Sequence, residues 1–206
     1  MDISCIVLVG GKSTRLGRNK IKEIIGNQSL LERVISRLAC FKSEIIVVTA
    51  RAPSLPQPID YPKLKVVSDI YPDKGSLGGI YTGLRVSDSF HSLVVAGDMP
   101  FLNRDLLEYM IENSNGFDVI VPRLDGIFEP LHAIYSKNCI APMESLIKQD
   151  DLQILKLFPF VKMRYIEREE IDRYDPRHLS FFNINTEADL RAGAELAKRE
   201  DVDDKC

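Results

Sequence analysis

Five short apolar segments rich in β-branched residues recur through the first 123 positions: ISCIVLV from Ile3, EIIVVTA from Glu44, LKVVSD from Leu64, SLVVAGDMPFL from Ser92 and FDVIVPR from Phe117. The first is a continuous apolar run without the polar alternation of a half-exposed strand, as expected of a parallel strand buried on both faces. Segments of helical period lie between them. SLLERVISRLACF sets Leu30, Leu31, Val34, Ile35 and Leu38 on one stripe, with Ser29 placed to cap its start. DKGSLGGIYTGLRVSD begins glycine-rich and becomes helical through Ile80 and Leu84, and NRDLLEYMIENS opens on Asn103, a good cap residue. This alternation predicts an α/β fold with a mostly parallel central sheet flanked by helices and joined by right-handed crossovers.

The second half is less regular. PLHAIYS and KMRYIER read as strands, SKNCIAPMESLIKQ as a helix interrupted near Pro142, and FFNIN as a short strand leading into a helix capped by Thr186. A length of 206 residues fits a single domain, and no internal repeat or linker divides it. A net charge of −3 gives no reason to expect nucleic acid as a partner. No apolar stretch approaches the length of a membrane span, and the start of the chain lacks the pattern of a secretion signal, so a cytoplasmic location is expected. The four cysteines (Cys5, Cys40, Cys139, Cys206) form no C-x-x-C pair, which argues against zinc and against a disulfide framework. Cys5 reads as a small buried hydrophobe.

Chemistry concentrates where the first strand ends, in IVLVGGKSTRLG and the RNK that follows. Adjacent glycines bare the backbone N–H groups, and Lys12, Arg15 and Lys20 bring cations, a combination suited to phosphate. Two familiar phosphate loops are excluded by spacing. The residue five before Gly11 is Ile6, inside the strand, so Gly11-Lys12-Ser13 cannot close a G-x-x-x-x-G-K-S loop. The dinucleotide fingerprint G-x-G-x-x-G also fails, because Gly10 and Gly11 are adjacent and the next glycine is Gly17. Arg15 can grip phosphate oxygens with two N–H groups, and Lys20 adds a point charge. Asp98 falls where a strand runs out into Gly97-Asp98-Met99-Pro100, and Asp69 where another ends. The carboxyl edge of an open α/β sheet is where ligands bind, and a carboxylate there suits Mg²⁺ bridged to nucleotide phosphates.

Taken together, LVGGKSTRLGRNK, DKGSLGGI after Asp69, GDMPFL around Asp98 and FFNINTEADL resemble the molybdenum cofactor guanylyltransferase family, in the family's order and across nearly the whole chain. The resemblance implies a Rossmann-like nucleotidyltransferase fold that binds GTP with Mg²⁺ and transfers GMP to molybdopterin, releasing pyrophosphate. It implies a nucleotide-binding half over 1–122 and an acceptor-binding half over 123–206. Position by position, it assigns nucleotide binding to Leu8, Val9, Gly10, Gly11, Lys20, Thr49, Asp69, Gly78 and Asp98. Arg15, Lys20 and Asp98 carry catalysis, with Asp98 the metal ligand, and Asn183 and Asn185 bind the acceptor. GTP and molybdopterin are the implied substrates, with room for proteins that supply or receive the cofactor.

The chain departs from the family pattern at four positions. Val9 replaces an alanine, Leu16 a methionine, Ser76 the proline of G-P-L, and Thr49 an asparagine that can contact the nucleotide. Thr49 leaves base identity open between GTP and CTP, so a cytidylyltransferase for the same cofactor stays in view, as do other nucleotidyltransferases. A non-catalytic nucleotide carrier is the rival of a different class. An acceptor phosphate needs no general base, which fits the expectation that His91, His132 and His178 serve structural or surface roles.

Overall fold

The apolar run at the start of the chain becomes the middle of a sheet. The computed structural model describes residues 3–10, 20–50, 55 and 58–203. Its strands in chain order are β1 (Ile3–Val9), β2 (Ile24–Ile25), β3 (Gln28–Ser29), β4 (Ile45–Thr49), β5 (Leu64–Ser68), β6 (His91–Ala96), β7 (Val119–Leu124), β8 (Ile127–Phe128), β9 (His132–Ser136) and β10 (Met163–Glu167). The helices are α1 (Leu30–Ala39), α2 (Gly75–Val86), α3 (Arg104–Glu112), α4 (Ile140–Lys148), α5 (Arg168–Ile171) and α6 (Glu187–Asp203). The main sheet runs β10-β7-β9-β6-β1-β4-β5, with β8 paired to β7. β1 pairs in parallel with both β4 and β6, which is why Cys5, Ile6 and Val7 are wholly buried. β9 is antiparallel to both its neighbours and the short β8 is antiparallel to β7, so the sheet is mostly parallel with two reversed strands.

The two-residue period of the strands divides the core into two faces. Ile3, Cys5, Val7, Val47 and Val95 face α1 and α3, whereas Ile6, Ile46, Val48 and Val94 face α2 and α4. The stripe on α1 is buried as its spacing predicts, and Ser29 and Glu32 close a reciprocal capping box at its start. Asn103 caps α3 by accepting from the Leu106 amide at 2.9 Å. A third apolar cluster of Ile25, Leu30, Phe101, Ile184 and Ala197 ties the β2–β3 hairpin to α6.

Two sequence expectations need correction. Pro142 does not interrupt a helix; it is the third residue of α4, in the first turn, where the missing N–H would have had no partner. FFNIN forms no strand. Leu179–Phe181 make a 3-10 turn, and Phe182 onward runs extended outside the sheet, with Ile184 donating its N–H to the Asp98 carbonyl at 3.0 Å. Alternation of apolar and polar residues here reflects burial of Ile184 against α6 rather than sheet pairing.

α2 lies close on β1 because Gly83 has no side chain. A Cβ there would meet the wholly buried Ile6 at 2.6 and 2.7 Å. Gly83→Ala gains helix propensity but forces that contact apart, with an expected net loss of about 1–2 kcal/mol. The urea midpoint measures it, and an unchanged or raised midpoint would mean that β1 and α2 can part without cost.

Candidate active site

β1 is the point where strand order reverses: β4 and β5 lie to one side and β6 to the other. In open α/β sheets this switch point opens a crevice beyond the carboxyl ends of the strands. A cavity of about 460 Å³ lies there, lined by Leu8, Val9, Gly10, Val48, Thr49, Ala50, Asp69, Pro72, Asp73, Gly75, Ser76 and Gly79. Its floor is the ends of β1, β4 and β5, and its wall is the first turn of α2.

Of the residues assigned from sequence, Leu8, Val9, Gly10, Thr49 and Asp69 line this cavity. The Thr49 hydroxyl donates to the Val67 carbonyl at 3.1 Å, tying it to the neighbouring strand. Asp69 uses one carboxylate oxygen locally, accepting from the Tyr71 amide at 2.9 Å and the Thr82 hydroxyl at 2.7 Å. These bonds anchor the turn between β5 and α2. Gly78 does not line the cavity: the direction a side chain would take there points at the Tyr71 carbonyl, 2.7 Å away. Gly79 does line it, where a Cβ would be 3.1 Å from Leu8. Gly75 and Gly79, one helical turn apart, share a face, so the helical period was the signal that distinguished Gly79 from Gly78.

Asp98 follows β6 and is nearly buried, at 8% exposure. It is not one of the residues that line the cavity; its neighbour Gly97 is tied to the cavity wall, donating its N–H to the Leu8 carbonyl at 3.0 Å. On its other side the Ile184 bond brings Asn183 and Asn185 alongside. Asp189 holds this segment in place: its carboxylate accepts from the Asn185 and Thr186 amides at 3.0 and 2.8 Å, and the Thr186 hydroxyl accepts from the Asp189 amide. The hydrogen bond from Asn185 is the main cause that lowers the Asp189 pKa below the usual carboxylate range. The structure therefore brings Leu8–Gly10, Asp98 and the Asn183–Asn185 segment together. Gly11 and Arg15 lie outside the described residues; the Lys20 backbone opens a 3-10 turn, and its side chain lies outside them.

No group of three or more metal-ligating His, Cys, Asp or Glu side chains occurs among the described residues. The buried thiols are poor nucleophiles, since burial pushes Cys5 and Cys139 up to about 12. His91 bonds the Phe117 carbonyl at 2.9 Å and His178 pairs with Asp172 at 2.6 Å, while His132 lies fully buried under Phe181. No helix among the described residues is long and apolar enough to cross a membrane.

A cleft at the switch point, with bared glycine backbone on one strand end and a carboxylate on the next, is that of a Rossmann-like nucleotide-binding protein. The chain belongs to the family of the MobA-like NTP transferase domain, whose model matches residues 5–160. A relative from Pelotomaculum thermopropionicum, named probable molybdenum cofactor guanylyltransferase, is 34% identical over 188 residues, covering 90% of this chain and 88% of its own. The solved structure of molybdopterin-guanine dinucleotide biosynthesis protein A from Archaeoglobus fulgidus superposes with a TM-score of 0.79 at 27% identity, over 95% of this chain and 99% of that one. The 2-C-methyl-D-erythritol 4-phosphate cytidylyltransferase from Thermus thermophilus shares the fold, with a TM-score of 0.68 at 16% identity over 96% and 100% of the two chains.

Proposed function

We propose that this protein transfers GMP from GTP to the terminal phosphate of molybdopterin, forming molybdopterin guanine dinucleotide and pyrophosphate. The observation that carries this reading is the pair of backbone bonds, Gly97 to Leu8 and Ile184 to Asp98, that hold a nucleotide-sized cleft, a strand-end carboxylate and the Asn183–Asn185 segment side by side. Two substrates must meet in line, and this is where they can. Residues 1–122 supply the nucleotide side and 123–206 the acceptor side.

The acceptor phosphate oxygen attacks the α-phosphorus of GTP; the α–β bridging bond breaks, and pyrophosphate departs with the electron pair. The attacking oxygen is already anionic, so no side chain must remove a proton, and the protein's task is alignment and charge neutralisation. Leu8, Val9, Gly10, Gly11, Thr49, Asp69 and the Gly75–Gly79 turn seat the nucleotide. Arg15 and Lys20 offset negative charge that builds on the leaving pyrophosphate. Asn183 and Asn185 offer amides to the acceptor. Asp98 would hold Mg²⁺, which supplies electrostatic stabilisation to the phosphate oxygens when bound.

Calorimetric titration with GTP, CTP and ATP, each with and without Mg²⁺, tests the reading. A metal-dependent preference for GTP is expected. A preference for CTP would move the function to cytidylyl transfer on the same site, and a folded protein that binds no triphosphate would sink the transferase reading in favour of a carrier.

A further inference from the structure

The cleft has an acidic end that phosphate binding does not explain. Asp73 lines the cavity from the turn between β5 and α2, and no hydrogen bond or ion pair engages its carboxylate among the described residues. The adjacent cation is committed elsewhere: Lys74 reaches across to Asp150 at 2.7 Å. Asp73 is exposed to solvent, and a carboxylate without a counter-cation is better suited to the base than to the triphosphate, whose place is the glycine-bearing end of β1. It belongs to the opposite end of the cleft, beside the base.

The remaining lining fits that placement. Leu8, Val48, Ala50 and Pro72 are apolar surfaces against which a flat ring can lie. Thr49 donates its hydroxyl proton to the Val67 carbonyl, and one Asp69 oxygen serves Tyr71 and Thr82. Asp73 is left as the carboxylate with both oxygens open. Two open acceptors side by side match two adjacent donors. Guanine presents such a pair, N1–H and N2–H, whereas cytosine and adenine each offer one exocyclic amine beside ring acceptors. The first turn of α2 borders the same cavity with no side-chain cap, so its amides are donors for the guanine O6.

We propose that Asp73 is the specificity-determining residue of the cleft, its carboxylate receiving N1–H and N2–H of a guanine base. This deepens the guanylyl-transfer reading and rests on it. It also places base selection on a residue to which the family resemblance assigned no role, at a site where Thr49 stands in place of an asparagine.

The test measures binding of GTP, CTP, ITP and XTP with Mg²⁺ to the full chain and to its Asp73→Asn variant. ITP lacks the 2-amino group, and XTP carries a carbonyl in its place. The wild type should bind GTP at least tenfold tighter than ITP. In Asp73→Asn that ratio should fall to within about twofold, and affinity for XTP should rise at least fivefold, because the amide can accept from N1–H and donate to O2. The gain toward XTP is a readout that general damage to the loop would not produce. If the wild type prefers GTP over CTP but the variant keeps the GTP:ITP ratio or gains nothing toward XTP, Asp73 is not the reader and the guanylyl reading stands. If the wild type does not prefer GTP over CTP, both fall.

Discussion

Asp98→Ala is expected to fold as the wild type does and to lose Mg²⁺-dependent transfer by about 10²–10³-fold, the range seen when one preorganised electrostatic group is removed from a transition state. The residue is buried at the corner where β6 leaves the sheet, and backbone bonds link this corner to Leu8 on one side and to Ile184 on the other. Its backbone carbonyl, not its carboxylate, receives the Ile184 bond, so truncation leaves that architectural link in place. Pyrophosphate release measured across a Mg²⁺ titration is the readout. The variant should show lost turnover that rising Mg²⁺ restores only in part, while circular dichroism is unchanged. Wild-type activity in Asp98→Ala would remove this residue from the metal site. Asp98→Asn should fall nearly as far, because an amide keeps the shape but not the charge that holds a hard cation.

Acid should destabilise the protein steeply, and His132 should account for a separable part of the loss. Its ring is wholly buried, neither nitrogen has a hydrogen-bond partner among the described residues, and the Phe181 ring lies 4.8 Å away. Burial disfavours the imidazolium and lowers the pKa to about 3. The folded value therefore lies below the unfolded one, near 6.5, and between them the unfolded chain binds the extra proton. The contribution is fully present above the unfolded pKa and is lost as pH falls toward about 3, at roughly 1.4 kcal/mol per pH unit within that window. Urea unfolding of the wild type and of His132→Leu at pH 7.5, 6.0 and 5.0 isolates it. The variant should be as stable or more so at pH 7.5, since two orphaned polar atoms are gone, an effect of about 1–3 kcal/mol set against repacking. The stability difference should widen in the variant's favour as pH drops. A pH-independent difference would mean that the ring finds a partner in solution.

Much of this architecture was legible in the residues, for identifiable reasons. Strands buried on both faces, such as ISCIVLV, announce themselves because nothing polar interrupts them, and the α1 stripe with its Ser29 cap is a local pattern locally satisfied. The direction of β9 was not legible, because side-chain periodicity is the same whichever way a strand runs. FFNIN misled for a related reason: alternate burial was read as pairing, whereas Ile184 is buried by Phe101 and α6. The two-residue strands β2 and β3 were too short to carry a pattern. In the cleft, the motif residues on strand ends could be placed from sequence, and the helical period could separate Gly79 from Gly78, but Asp73 required the path of the turn between β5 and α2.

Order of synthesis adds a consequence to the way the Asn183–Asn185 segment is held. It has no place in the sheet and depends on α6, through the Asp189 cap and through Gly193, where a Cβ would lie only 2.8 Å from Ile184. The strand ends and the cleft come from residues the ribosome releases early, whereas this segment can settle beside Asp98 only after α6 has emerged and docked. A nascent chain can thus assemble its nucleotide cleft while the opposite wall is still missing, and the two sides of the site become one late in translation.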